Sequence, residues 1–290
     1  MPLVFGAIAP HGFPIIPNLS DDAEGALATR SAMEELGRRC AVAHPEVIVI
    51  AGPHGVRVND AICVADVARG AGTLHWAGRT VDMNVPVDGE MTDVIVAEAR
   101  ADGIPIALAG YAGNRRSQSV LPLDWGLITP LWFLGHDRNL PGSGDVLFDP
   151  PEIDTGPPVV IVSPSRSVTR QQLVDFGRAV GRAAANSDRN VALVASCDWA
   201  HRHREDGPYG FHSAAEIVDR QVVAAVNDGD LGRLMDLEDS AAEDAAIDGL
   251  WQALMLVGAL EVAPLAHDLL SYEAPSYYGM IVASYAPSAA

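Results

Sequence analysis

Val47-Ile48-Val49-Ile50-Ala51-Gly52-Pro53-His54-Gly55 is the stretch that decides the fold. Four β-branched residues and an alanine follow one another without polar alternation. That is the pattern of a strand buried on both faces. Gly52 and Pro53 then favour a sharp turn and leave His54 at the end of the strand. The chain's first apolar run, Leu3–Ala9, ends in the same way, in Pro10-His11-Gly12. Two imidazoles held at the ends of neighbouring strands can converge on one cation.

Outward from this stretch, short apolar runs alternate with helical ones. Strands are expected at Leu3–Ala9, Val47–Ala51, Ala61–Val67, Ile104–Ala109, Val159–Val162, Val191–Ala195 and Met280–Tyr285. Ser20 is expected to cap a helix running to about His44, with Asp21, Asp22 and Glu24 in its first turn. Further helices are expected at Met91–Ala101, Thr169–Asn186, Ser213–Val226 and Ala241–Leu260. This alternation predicts a single α/β sandwich over residues 1–290, with a central, largely parallel or mixed sheet flanked by helices. Gly135–Pro158, rich in Gly, Pro and Asp, reads as a long surface loop.

Composition narrows the function classes. The formal net charge is −19, and all 19 cationic residues are Arg. Such a surface repels nucleic-acid phosphates. The absence of Lys excludes Schiff-base chemistry and a Walker-type phosphate loop, both of which need an amine. Cys40, Cys63 and Cys197 are odd in number and widely spaced, which is neither a disulfide framework nor a zinc knuckle. No apolar run approaches the roughly 18 residues of a membrane helix. The first charge is Asp21, so a basic signal-peptide region is missing and a cytoplasmic location is expected.

Two later segments carry chemistry. Ser196-Cys197-Asp198-Trp199-Ala200-His201-Arg202-His203 leaves the strand Val191–Ala195. Asp198 and His201 are three residues apart, close enough to meet in a helical turn. An acid beside an imidazole fixes its tautomer and suits it to acid/base work, so Asp198 is expected to orient a catalytic His201. His203 is expected to face solvent or a substrate. The second segment, Ala245–Leu260, is almost wholly apolar and reads as a buried helix with one carboxylate, Asp248, inside it. Burying that carboxylate is costly unless it meets a cation or a metal. Two histidines and a carboxylate form the facial triad of non-haem Fe(II) oxygenases, and the same donors can hold catalytic zinc.

The order of APHG (residues 9–12), GPHG (52–55), LDWG (123–126), SCDWAH (196–201), DGPYGFH (206–212) and LMLVGAL (254–260) resembles class III extradiol ring-cleaving dioxygenases. These include the catalytic β subunit of protocatechuate 4,5-dioxygenase and the related Memo-like proteins. The resemblance implies that His11 and His54 bind Fe(II), with Zn²⁺ or Mn²⁺ as alternatives. It places the catalytic histidine at His201 and the third ligand, a Glu or Cys in the family, at Asp248. Trp125 stands where the family often has a histidine. The implied reaction is meta cleavage of a catechol-like aromatic with O₂. Trp125, Tyr209 and Tyr278 would line the pocket, and Arg202 would meet a substrate carboxylate. A homo-oligomer or a small partner subunit is the implied assembly, with no nucleic-acid or membrane partner. A Memo-like metal- or partner-binding protein without ring cleavage and a zinc hydrolase are the alternatives.

Overall fold

The computed structural model describes residues 3–138 and 152–288. Of the loop expected over Gly135–Pro158, residues 139–151 lie outside them. An eight-stranded sheet runs through the molecule. Its strands are β1 (Leu3–Ala9), β2 (Val47–Ala51), β3 (Ile62–Ala65), β6 (Ile106–Ala109), β8 (Val159–Ser163), β9 (Val191–Ser196), β10 (Ala266–Glu273) and β11 (Met280–Ala286), in the order β10-β11-β1-β9-β2-β8-β3-β6. The four central strands, β1-β9-β2-β8, are mutually parallel. Antiparallel pairings at β11 and between β3 and β8 make the sheet mixed. This is the single-domain α/β arrangement expected from the sequence.

The β2 stretch explains the layering. Val47, Val49 and Ala51 pack into one apolar cluster, and Ile48 and Ile50 into another. Residues alternate across a strand, so a continuous apolar run serves two cores at once. The first core is closed by α2 (Gly89–Ala101), α4 (Arg170–Ala185), α5 (Ala214–Asn227) and α7 (Leu250–Val262). The second is closed by α1 (Leu27–Ala43), α3 (Trp125–Phe133) and a small three-stranded sheet of β4 (Arg69–Trp76), β5 (Arg79–Pro86) and β7 (Val120–Pro122).

Several local expectations are corrected. Helix α1 begins at Leu27, and Ser20 does not cap it: the Ser20 hydroxyl donates to Asp22 Oδ1 at 2.9 Å. Ala23 and Glu24 take positive φ (54° and 51°), which holds the chain out of a continuous helix there. The helix expected over Ala241–Leu260 is two: α6 (Asp239–Asp244) and α7, broken at Ala246, whose φ is 49°. Asp248 therefore lies in the connector before α7, two residues ahead of Leu250. The hairpin β4–β5, the strands β7 and β10 and the helix α3 were not anticipated. In α3, an apolar sequence with Pro130 inside hides the period, while Asp124 caps its start by accepting from Gly126 N at 3.0 Å. No helix among the described residues is long and apolar enough to cross a membrane.

Candidate metal centre and active site

Three neighbouring parallel strands, β1, β9 and β2, deliver His11, Asp198 and His54 to one edge of the sheet. Ligands of open α/β sheets gather at such carboxyl ends. The strand order places Asp198 between the two histidines. Asp248 comes over this edge from the connector between α6 and α7. Its Oδ2 lies 3.6 Å from His11 Nε2 and 3.9 Å from His54 Nε2. Donor atoms of His11, His54 and Asp248 all fall within 4.8 Å of one another. The two imidazoles meet edge to face with centroids 5.1 Å apart.

A hydrogen bond decides which nitrogen of His11 faces this point, and the nearest carboxylate does so for His54. The Ser196 hydroxyl donates to the Gly126 carbonyl, so its oxygen accepts from His11 Nδ1–H at 3.1 Å. His54 Nδ1 faces the Asp124 carboxylate, Oδ2 at 3.4 Å. In a neutral His11 ring Nδ1 then carries the hydrogen and Nε2 presents a lone pair, and the acceptor beside His54 Nδ1 favours the same tautomer there. The Asp248 carboxylate, itself only an acceptor, faces those lone pairs. Two imidazole nitrogens and a carboxylate converging in this way are a donor set suited to a divalent cation. Ser196 supplies an outer hydrogen bond of the kind that commonly orients metal-binding imidazoles, and the Asp124 carboxylate stands in the same place beside His54.

The electrostatics differ between the two rings. Burial pushes His11 well below the ordinary imidazole range, reinforced by His54 and His201. Burial opposes the charge on His54 too, but Asp124, Asp248 and Asp198 outweigh it and raise its pKa. Burial pushes Asp198 up to about 8; the His11 amide works against this, and the nearby Asp248 adds to it. Two carboxylates this close in a buried place repel each other, and a cation between them would relieve that repulsion.

Asp198 does not meet the His201 side chain. Its Oδ1 accepts from the His11 backbone N–H at 3.0 Å, and its Oδ2 lies 3.3 Å from His11 Nε2. The His201 ring is held instead by carbonyls: its Nδ1 lies 2.7 Å from Trp199 O and 3.2 Å from Ala246 O. Carbonyls only accept, so Nδ1 carries the hydrogen and Nε2 is free to take a proton. The break at Ala246 thus serves the site, because it turns that carbonyl toward His201. Burial lowers the His201 pKa, opposed by Asp248 and the two carbonyls.

A cavity of about 400 Å³ opens on this cluster. Trp125, Tyr209, Tyr277 and Tyr278 line it together with His11, His54, Asp198, His201 and Asp248. Tyr278 stacks on His201 at 5.6 Å and 22°, and Trp125 lies 4.6 Å from His54, ring to ring. Arg202 does not line this cavity; it reaches the Asp244 carbonyl at 3.3 Å. The cation at the wall is Arg166, which donates to Asp248 Oδ1 at 3.0 Å and lies 4.6 Å over the Trp251 ring. No sequence pattern singles out Arg166, because it comes from the otherwise ordinary loop after β8. Asp124 and Ser196 were legible only as members of the LDWG and SCDWAH segments. His203 turns inward, its Nε2 2.8 Å from the buried Asp219. A larger hollow of about 800 Å³ between α4 and α6–α7 meets the site at Arg166 and Ala246 and holds none of these histidines.

Protein CA_C1420 of Clostridium acetobutylicum is 25% identical over 268 residues, covering 92% of this chain and 54% of that protein. The chain thus spans about half the length of this relative. The crystal structure of uncharacterized protein JW3007 from Escherichia coli K12 shares the fold, with a TM-score of 0.59 at 16% identity, over 97% of this chain and 99% of that one. Residues 6–283 match the family described as the catalytic LigB subunit of aromatic ring-opening dioxygenase, and the chain belongs to that family.

Proposed function

We propose that this protein is an Fe(II)-dependent extradiol dioxygenase that opens a catechol-like aromatic ring with O₂. The observation that carries the reading is the convergence of two imidazole Nε2 atoms and the Asp248 carboxylate at the floor of an aromatic cavity that also holds His201. His11, His54 and Asp248 would hold the ion. When bound, it would supply Lewis acidity toward the diol and one-electron chemistry toward O₂. The protein's residues supply the rest. His201 Nε2 accepts a phenolic proton and later returns one to an oxygen as the O–O bond is cleaved, both oxygen atoms ending in the opened product. Trp125, Tyr209 and Tyr278 confine a flat ring between aromatic faces and exclude water. Arg166 occupies Oδ1 of Asp248 and leaves Oδ2 turned toward the histidines.

The test is direct. Anaerobic loading with Fe(II), followed by catechol and air, should give oxygen uptake and a yellow ring-fission product. Asp248→Ala should lose both the bound iron and the reaction. Trp125, in place of the family histidine, favours a second reading, a metal-binding protein without ring cleavage. Stoichiometric metal with no oxygen uptake across a panel of catechols would establish that reading and sink the first. Stoichiometric zinc with hydrolytic turnover would point to a hydrolase.

A further inference from the structure

Asp219 lies on α5, behind the loop that carries His201, and its side chain is completely buried. Its Oδ1 accepts from the Ala200 backbone N–H at 3.0 Å. The same peptide unit, Trp199 to Ala200, ends on its other side in the Trp199 carbonyl, which accepts from His201 Nδ1–H at 2.7 Å. A carboxylate, one peptide group and an imidazole therefore stand in a line of hydrogen bonds. We infer that Asp219 positions and polarises His201 through this peptide group, in the role that an acid touching the imidazole itself would otherwise take.

The physical reason is conjugation. A peptide group is a planar resonance system. Negative charge on its N–H side draws electron density onto its carbonyl oxygen, and hydrogen bonds in such a chain strengthen one another. A stronger acceptor at Trp199 O holds Nδ1–H more firmly and makes Nε2 a better base. Asp219 also acts on His201 by charge, in the sense that favours the protonated ring. The carboxylate is fixed in this pose, since Oδ2 is occupied by His203 Nε2 at 2.8 Å and Tyr272 Oη at 3.1 Å. The peptide is fixed as well. Trp199 N donates to Gly279 O at 2.9 Å, Gly279 N to Ala200 O at 3.0 Å, and His201 N to Ala245 O at 2.9 Å.

The functional part of this inference rests on His201 acting as the base of the proposed reaction; the tautomer and its dependence on Asp219 do not. The experiment therefore has two arms. In the first, ¹⁵N-histidine NMR on the full chain should show His201 protonated at Nδ1, with that proton shifted downfield. Asp219→Asn should move the Nδ1 proton upfield and shift the Nε2 resonance. His203→Gln and Tyr272→Phe, which remove only the other partners of the carboxylate, should leave both in place. A wild-type His201 protonated at Nε2, or an unchanged ring in folded D219N, would overturn the inference. If D219N does not fold, couplings across the two hydrogen bonds in the wild type decide. These run from Ala200 N to the Asp219 carboxyl carbon, and from His201 Nδ1 to the Trp199 carbonyl carbon. Absence of either overturns the inference. In the second arm, D219N should lower kcat roughly tenfold with KM little changed. An equal loss in H203Q would make Asp219 a general brace and overturn the relay. A wild type that turns over no catechol would sink the proposed reaction and leave the first arm to decide.

Discussion

Replacing Gly258 by Ala probes the contact that seats α7, the helix that begins two residues after Asp248. Helices α4 and α7 cross with Gly258 against Val174 and Gly177 against Met255. A Cβ on Gly258 would lie 1.8 Å from the Val174 carbonyl oxygen, and one on Gly177 would lie 1.9 Å from that of Met255. Real Cβ contacts essentially never fall below 3.0 Å, so the helices must part by about 1.2 Å. Val174 and Met255 are both buried, so parting them also opens the core around them. Overpacking of this kind costs about 1–3 kcal/mol, occasionally more. The upper end applies, because the obstacle is backbone rather than a side chain that can swing away. Alanine returns about 1 kcal/mol through its better helix propensity. The net loss is about 2 kcal/mol, or a fall of about 3 °C in Tm for a chain of this size. Urea unfolding followed by far-UV circular dichroism should show a lower midpoint at unchanged slope. The double variant G177A/G258A should lose less than the two single losses combined, because the first methyl has already parted the helices. A G258A protein as stable as the wild type, or strict additivity in the double variant, would refute the reasoning.

Three further outcomes follow from the site. His201→Phe should keep its metal content and lose turnover by roughly 10²–10⁴-fold; loss of the metal would instead make His201 a ligand. Trp125→His should alter relative rates across substituted catechols more than it alters iron binding, since indole only donates a hydrogen bond whereas imidazole also accepts one; identical rate profiles would reduce Trp125 to packing. Because burial disfavours the charged His201 ring and lowers its pKa, the base stays neutral, and active, to lower pH than a free imidazole. The acid limb of kcat/KM should therefore fall below pH 6.5, the ordinary histidine value; an acid limb centred above it would contradict the burial argument.

The central architecture was legible in the sequence because burial on both faces leaves a local mark. Val47–Ala51, Leu3–Ala9 and Val191–Ala195 are continuous apolar runs, and each became a central parallel strand. The edge strand β10 and the hairpin β4–β5 mix polar and apolar residues, and their pairing depends on distant partners, so no local pattern marked them. The turns at His11 and His54 were visible as Pro-His-Gly. That the two rings face each other with Asp248 depends on β9 lying between β1 and β2, which no local sequence encodes.

The sequence by itself determined the residue types that chemistry requires and the strand ends on which two of them stand. Only the tertiary structure decided their partners, because a hydrogen bond is selected by distance in space and not along the chain. Asp198, three residues from His201, turns to His11, 187 residues away in sequence. Asp219, on another helix, reaches the peptide that holds His201. Arg166 rather than Arg202 arrives at the cavity wall, because the loop after β8 ends beside Asp248, whereas Arg202 is drawn off to the Asp244 carbonyl.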